Sequence, residues 1–256
     1  SSDSDMQTLI EEKRKSGVFL TCLGYGMGNY KDNKMQKLAN KGNGNHAYID
    51  GMNEAKKVLV NEFGGTMFTI AKDVKLQIEF NPTLVQAYRL VGYENRLLNK
   101  EDFNNDKVDA GDIGAGHNIT ALYEIIPVGQ QGWNNDSRYQ ASTKIDASKK
   151  TEYAFVNLRY KLPNQDKSIL LNQAVQLGSK PLEKANSDTR FAIAVASYAQ
   201  QLKGGQYNGA MGWDQIIQLG QQSTQPDPYQ MRAEFVELAK IAKNSAEVAK
   251  LDAPEW

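Results

Sequence analysis

Apolar positions in the first quarter of the chain alternate between helical spacing and short continuous runs. Met6, Leu9 and Ile10 recur at helical spacing, and the uninterrupted apolar run at 18–23 is typical of a strand buried on both faces. This alternation predicts parallel β-α units over residues 1–66. The predicted elements are a helix ending at Ser16-Gly17, a strand at 18–23, a helix from Asp32 or Asn33 to Gly42, a strand at 46–49 and a helix from Asn53 to Gly64-Gly65.

From residue 67 the period changes to two. Val74 and Leu76 alternate with Lys75 and Gln77, which predicts a strand with its apolar side chains on the buried face and Lys75 in water. Several strands of this kind, separated by turn-rich segments, predict an antiparallel β-sandwich over residues 67–182. Further strands are predicted at 85–91, 119–126, 153–160 and 169–177.

Helical spacing returns in the last part of the chain, residues 183–256. Asp188 should cap a first helix, Trp213 marks a second, and Asp227-Pro228 should start a third. Each helix has one apolar stripe, which stabilises only when it is buried. The expected fold is therefore a partial doubly wound α/β unit, an antiparallel sandwich and C-terminal helices packed on that sandwich.

Composition narrows the function classes. The chain has 30 basic and 30 acidic residues, so nothing favours nucleic acid or an anionic membrane as a partner. No apolar run approaches the ~18 residues that a membrane crossing needs, so no membrane span is expected. The single cysteine, Cys22, lies in a predicted buried strand, and a structural role is favoured over a nucleophile because burial opposes thiolate formation.

An acidic loop at 99–112 is the first candidate site. Asp102, Asn104, Asp106 and Asp109, with Glu101 and Asp112 nearby, offer hard oxygen ligands for calcium. The helix-loop-helix calcium pattern is incomplete, however, because Lys107 stands where that loop needs glycine and Ile113 where it needs glutamate. A solvated acidic loop is the competing interpretation.

Three other features have a functional interpretation. His117 and Glu124 flank a glycine turn and could serve as acid and base of a hydrolase, whereas His46 is interpreted as structural. Trp133 and Tyr139, in a long polar loop, could stack on a sugar or a protein partner, or anchor the loop. The glycine-rich turn at 24–29 follows a strand, but its G-x-G-x-G spacing favours a tight turn over a phosphate cradle.

Two stretches of the chain resemble a known family. The runs VFLT (18–21), LGYGMGNYKDN (23–33) and NGNHAYID (43–50) look like the final two β-α units of a bacterial von Willebrand factor type A (VWA) domain. The following segments resemble the C-terminal extension found in one bacterial group of that family: EFNP (79–82), YRLVGYENR (88–96), EDF (101–103), AGDIGAGH (110–117), TALYE (120–124), RFA (190–192) and WD (213–214).

The resemblance implies a cell-envelope or secreted protein, often a lipoprotein, without known enzymatic activity. The resemblance also implies the way in which VWA domains hold a divalent cation, with a D-x-S-x-S loop after the first strand, a threonine in a later loop and an aspartate after the fourth strand. None of these is found in this sequence, so no metal residue is carried over and the cation is expected only in a preceding part of the protein. Ser1 is accordingly interpreted as the start of a fragment.

These inferences combine into one expected function. The chain is expected to be a non-enzymatic protein-protein interaction module, for adhesion or assembly, in the cell envelope and without a cofactor of its own. The alternative is a calcium- or carbohydrate-binding module that uses the acidic loop and Trp133. Two parallel strands alone leave a sheet edge open, so pairing of two copies through that edge is a further expectation.

Overall fold

The computed structural model describes residues 3–26, 31–92, 97–131 and 151–251. Its helices are α1 (Asp3–Lys15), α2 (Asp32–Lys41), α3 (Met52–Lys56), α4 (Phe63–Met67), α5 (Ser187–Leu202), α6 (Trp213–Gln221) and α7 (Met231–Leu251). Its strands are β1 (Leu20–Tyr25), β2 (Asn43–Ile49), β3 (Thr69–Phe80), β4 (Val85–Val91), β5 (Gly111–Gly114), β6 (Leu122–Pro127), β7 (Glu152–Lys161) and β8 (Ile169–Gln176). Together they make a mixed α/β fold with several sheets and helices.

By spatial contact the chain divides into two compact units. The first unit consists of residues 1–79, 97–119 and 155–174, and the second of residues 80–96, 120–154 and 175–256. Each unit therefore combines segments that are distant in sequence. This grouping is distinct from the three consecutive domains expected at 1–66, 67–182 and 183–256, which stay a prediction.

The first unit contains the parallel β-α arrangement predicted from the start of the chain. β1 and β2 are parallel, with Cys22 opposite His46, and α2 connects them. Buried Cys22, Leu38 and Ala39 form the core between the strands and the helix. Gly44 is needed in β2 because a Cβ there would lie 1.8 Å from the carbonyl oxygen of Leu20. The predicted β-α-β order is confirmed.

The helix expected from Asn53 to Gly64-Gly65 differs in detail. The structure has the short α3, a π-helical turn at Lys57–Asn61, and then α4, which contains both glycines instead of ending at them. Gly65 lies so close to the chain after β5 that a Cβ would come within 2.5 Å of His117 Nε2. This tertiary contact explains the glycine at position 65, which the sequence analysis interpreted as the end of a helix.

A four-stranded sheet in the order β5-β3-β7-β8 lies mostly in the first unit. β3 and β5 are antiparallel, and β5 was not predicted. At the middle of β3 the prediction is wrong, because Lys75 is only 3% exposed whereas Leu76 is 41% exposed. At the end of the strand Glu79 is exposed and Phe80 half-buried, as predicted. The strand predictions at 85–91, 153–160 and 169–177 are confirmed, while face-to-face sandwich packing stays a prediction.

The second unit combines an antiparallel pair, β4 and β6, with α5, α6 and α7. Phe80 stacks on Tyr88, with Tyr123 nearby, beside this pair. The three helices pack on one another and bury their apolar stripes between them. Their buried residues are Ala194, Ile216, Leu219, Phe235, Val236 and Ala239.

Two helix starts in this unit differ from the sequence prediction. Asn186, not Asp188, caps α5, since its side-chain oxygen accepts a hydrogen bond from Thr189 N at 2.7 Å. α7 begins at Met231, and the Asp227 carboxylate accepts hydrogen bonds from the amides of Arg232 and Ala233 at 3.1 and 2.9 Å. Within the described part of the chain, no helix is long and apolar enough to cross a membrane.

Candidate functional site

Two buried lysines lie against the backbone of the acidic loop. The Lys75 ammonium, on β3, donates to the carbonyl oxygens of Asp102 at 3.3 Å and Asn105 at 2.5 Å. The Lys161 ammonium, on β7, donates to the carbonyl oxygen of Asp106 at 2.7 Å. Carbonyl oxygens of such a loop are typical calcium ligands. In this structure they accept hydrogen bonds from cations of the chain itself.

Two arginines bind other groups of the same loop. Arg159 Nη1 donates to the carbonyl oxygen of Asn104 at 3.3 Å and lies 3.7 Å from Asp106 Oδ1. Arg14 Nη1, from α1, forms an ion pair with Asp109 Oδ2 at 2.8 Å. Each of these loop residues therefore contacts a basic side chain from a helix or a strand of the first unit.

A group of carboxylates lies where β3 meets the end of the loop. Asp73 has a left-handed backbone with φ 50°, which aspartate tolerates better than most residues. One Asp73 oxygen accepts from Ala110 N at 3.1 Å, and the other forms an ion pair with Lys161 Nζ at 2.7 Å. Asp73 N in turn donates to Asp112 Oδ1 at 3.1 Å. The ladder between β3 and β5 is irregular here, which leaves room for these contacts.

Burial and repulsion between neighbouring carboxylates raise the pKa values of two of these aspartates. Burial raises the pKa of Asp109, and the neighbouring Asp73 charge adds to the rise while Arg14 opposes it. Burial also raises the pKa of Asp112, again with a contribution from Asp73. The hydrogen bond from Lys161 to Asp73 raises the pKa of that lysine, so it stays charged. Asp112 Oδ2 is buried and has no hydrogen-bond partner among the described residues.

The arrangement neutralises the negative charge of a part-buried site, and lysines and arginines of the chain supply the positive charge. The four calcium candidates do not converge on one point, since Asp102 Oδ2 accepts from Asn99, Asp106 Oδ2 from the Ser168 amide, and Asp109 from Arg14. Among the residues that the structure describes, no group of three or more His, Cys, Asp or Glu side chains has a geometry that could hold a metal ion. The calcium alternative stays a prediction.

The acid and base candidates each have a local partner. Glu124 forms an ion pair with Arg89, with Arg89 Nε 2.7 Å from Glu124 Oε2, across the β4-β6 pair. His117 belongs to the first unit, where its ring packs against Gly65. Arg89 also lies over the ring of Tyr207, 4.4 Å from its centroid, and contributes a cation-π contact. Glu124 is thus part of an ion-pair and aromatic arrangement in the second unit.

Of the remaining candidate residues, His46 and Cys22 lie in the part of the chain that the structure describes. His46 Nε2 lies 3.0 Å from Asp32 Oδ1, which agrees with a structural role at the β1-β2 pair. Cys22 is 7% exposed, and burial raises the pKa of its thiol. Trp133, Tyr139 and the end of the glycine turn, residues 27–29, lie outside the described residues.

Sequence reasoning missed the basic half of this site. Lys75 was assigned to the water-facing side of a strand, and Lys161, directly after the strand predicted at 153–160, was given no role. The acidic residue Asp73 was not considered either. The available signal was charge balance, because an acidic loop in a chain with equal numbers of acidic and basic residues needs basic partners. Spacing alone could not say which lysines those were.

Comparison with known proteins identifies a family whose model matches this chain. A family model described as "Uncharacterized protein YfbK, C-terminal" matches residues 65–245. The "Uncharacterized protein YfbK" of Escherichia coli (strain K12) is 43% identical over 247 residues, which are 96% of this chain and 42% of that relative. The chain therefore spans less than half the length of the curated relative that it matches.

Two solved structures are similar over most of the chain at low TM-scores. "Crystal structure of the ArnB paralog VWA2 from Sulfolobus acidocaldarius" has a TM-score of 0.39 and 13% identity, with 88% of this chain and 55% of that chain covered. "von Willebrand factor type A from Catenulispora acidiphila" has a TM-score of 0.36 and 14% identity, with 86% and 53% covered. The family match covers most of the chain, and the chain belongs to the YfbK C-terminal family.

Proposed function

We propose that this chain is the C-terminal part of a VWA-type protein of the cell envelope that works in adhesion or assembly through protein-protein contact and catalyses no reaction. The resemblance of residues 18–50 to the last β-α units of a VWA domain supports the VWA assignment. The parallel β1-α2-β2 unit has the order that this resemblance implies. The segments after residue 79 support a C-terminal extension of the kind found in one bacterial group.

The observation that carries the proposed contact function is an exposed apolar surface on the first unit. We call it the 52–70 surface. Met52 is 71% exposed, Val60 74% and Phe68 69%. Contiguous apolar side chains are rarely left in water in a monomeric protein, and where they occur they commonly mark a contact surface. The other exposed apolar residues of the surface are Leu59, Phe63, Met67 and Ile70.

Site-specific photo-cross-linking tests this function. A photoreactive p-benzoylphenylalanine replaces Val60 in the full-length protein in its native cells, and Lys107, an exposed polar position of the same unit, carries it in the control. We expect a covalent adduct with another protein from position 60 and none from position 107. The Phe68→Asp substitution should remove the adduct by placing a charge in the contact. Cross-links confined to the protein's own chain would contradict the proposal.

The proposed cell-envelope location needs its own experiment. The full-length protein is fused at its C-terminus to alkaline phosphatase, which becomes active only where its disulfides form, outside the reducing cytosol. We expect an active fusion that sediments with the envelope fraction. An inactive fusion found in the cytosolic fraction would exclude this location without bearing on the contact surface.

A further inference from the structure

β8 forms one edge of the four-stranded sheet. The sheet order is β5-β3-β7-β8, so β7 pairs with only one side of β8. Leu177 N donates to the carbonyl oxygen of Thr151 at 2.6 Å, at the end of the β7-β8 pair. Since alternate residues of a strand direct their N–H and C=O groups to opposite sides, every second residue of β8 directs these groups away from β7. Among the described residues, no strand pairs with that side.

Side chains on both faces of this edge are exposed to solvent. Leu170 is 47% exposed and Leu171 is 50% exposed, although successive side chains of a strand point to opposite faces. Val175 is 41% exposed and Leu177 43%. The edge therefore presents apolar side chains beside unpaired backbone groups, which is the combination that pairs with another strand.

β8 also lacks the charges that usually protect an edge. Its sequence, ILLNQAVQ, contains no charged residue and no proline. Every other strand of the sheet carries a charged residue, such as Lys72 in β3, Asp112 in β5 and Arg159 in β7. β5, at the opposite edge, has only four residues, whereas β8 has eight. Natural proteins use charges and short edge strands to prevent edge-to-edge pairing, and β8 has neither feature.

The odd-numbered residues of β8 form a pattern that complements itself. Ile169 and Leu171 precede Gln173 on this face, Val175 follows it, and Leu177 comes directly after the end of β8. In an antiparallel pair centred on Gln173, Leu171 of one copy lies opposite Val175 of the other, and Ile169 lies opposite Leu177. Directly opposite side chains of an antiparallel pair share a face, so apolar residues meet apolar residues and the two Gln173 amides meet at the centre.

We propose that β8 pairs with β8 of a second copy of this chain, antiparallel and about a two-fold axis at Gln173. A two-fold interface uses the same patch on both copies, which the symmetric pattern of β8 satisfies. One strand pair buries less than the ~1,600 Å² of a standard interface, so the dimer forms with rising protein concentration. The inference is independent of the 52–70 surface and of the proposed function.

Sedimentation equilibrium over a concentration series measures this dimer. The Leu171→Lys/Val175→Lys variant places lysines opposite lysines, and the Leu171→Glu/Val175→Glu variant places glutamates opposite glutamates. We expect each variant alone to dimerise at least about tenfold more weakly than the wild type. A mixture of the two variants should dimerise again, because each lysine then lies opposite a glutamate.

A control variant separates this edge from a general effect of charge. Leu238→Lys/Ile241→Lys adds the same charge at exposed apolar positions of α7 and should leave the wild-type dimer unchanged. Far-UV circular dichroism verifies that every variant is folded. The proposal is overturned if the wild type stays monomeric up to about 1 mM, if the double-lysine variant dimerises like the wild type, or if the mixture stays monomeric.

Discussion

Two lysine ammonium groups bind the acidic loop, whose oxygen atoms the sequence presents as candidate calcium ligands. Lys75 and Lys161 are 3% and 9% exposed, and a lysine is seldom buried unless its charge has partners. Both bind backbone carbonyl oxygens of the acidic loop, and Lys161 also binds the Asp73 carboxylate. The loop is therefore attached to β3 and β7 by charge-assisted hydrogen bonds, which are stronger than neutral ones.

Removing the Lys161 ammonium should destabilise the protein strongly at neutral pH. Lys161→Met leaves the part-buried Asp73 carboxylate beside Asp109 and Asp112 without its counterion, and we expect the free energy of unfolding to fall by about 2 kcal/mol. The raised pKa of Lys161 means that its contribution is fully present at pH 7 and is lost only as the pH rises through that folded-state value. Urea unfolding followed by circular dichroism measures the loss.

The matched control is Lys240→Met, because Lys240 forms an exposed ion pair with Glu237 on α7. This change should alter the free energy of unfolding by no more than about 0.5 kcal/mol. Adding Asp73→Asn to Lys161→Met should recover part of the stability, since the unpaired charge is then removed. Equal losses for Lys161→Met and Lys240→Met would contradict the role assigned to the buried ammonium.

Asp112→Asn should stabilise the protein at pH 7.5 and not at low pH. The pKa of Asp112 is raised in the folded state, so ionising this carboxyl opposes folding above its unfolded pKa of about 4. Asparagine keeps the Oδ1 acceptor for Asp73 N and removes the charge. We expect a gain below about 1 kcal/mol, because solvent screens this part-exposed group. Unfolding measured at pH 7.5 and at pH 3.5 would refute this if the gain were equal at both.

At the scale of elements, periodicity predicted most helices and strands but not the burial of Lys75 in β3. The alternation of Val74, Lys75 and Leu76 indicates a strand, but it does not determine which of the strand's two faces is buried. Hydrophobicity favours burying Leu76, yet the loop carbonyl groups bury Lys75 instead. β5 escaped prediction because its four residues, GDIG, have too short a pattern to show a period. Both misses depend on contacts between segments distant in sequence.

Gly64 and Gly65 provide a matched pair of substitutions in one helix, α4. A Cβ at Gly65 would lie 2.5 Å from His117 Nε2 and 2.8 Å from the Ala115 carbonyl oxygen, whereas a Cβ at Gly64 would meet nothing within 4 Å. We expect Gly65→Ala to destabilise the protein by about 1–3 kcal/mol through overpacking. Gly64→Ala should be neutral or stabilising by up to about 1 kcal/mol, because alanine favours a helix.

Thermal unfolding of both alanine variants checks this pair. Because they differ only in which neighbouring position gains a methyl group, helix propensity cancels in the comparison. A Gly65→Ala variant as stable as Gly64→Ala would show that the chain around His117 yields to the added methyl group. That result would contradict the explanation that the close approach of α4 to this segment requires glycine at position 65.

At the scale of the whole molecule, each compact unit is built from segments that are far apart in the sequence. The first unit takes β3 from the middle of the chain, the acidic loop from residues after it and most of β7 and β8 from later still. Composition and periodicity change along the chain near residues 66 and 182, and such changes can mark only consecutive boundaries. The pairing of a lysine on β7 with a loop some fifty residues earlier has no local signature, which is why the site was half predicted.

Calcium should leave the thermal stability of the whole molecule unchanged. A ligand that binds only the folded state at 100 times its Kd stabilises it by about 2.7 kcal/mol, which raises Tm by several degrees in a protein of this size. The loop carbonyls of Asp102 and Asp106 already bind lysine ammonium groups, and a second cation there would meet their repulsion. We therefore expect Tm in about 5 mM calcium to lie within about 1 °C of Tm in chelator. If calcium raises Tm by several degrees and Asp106→Asn abolishes that rise, the acidic loop is a calcium site and the lysines must move aside to admit the ion.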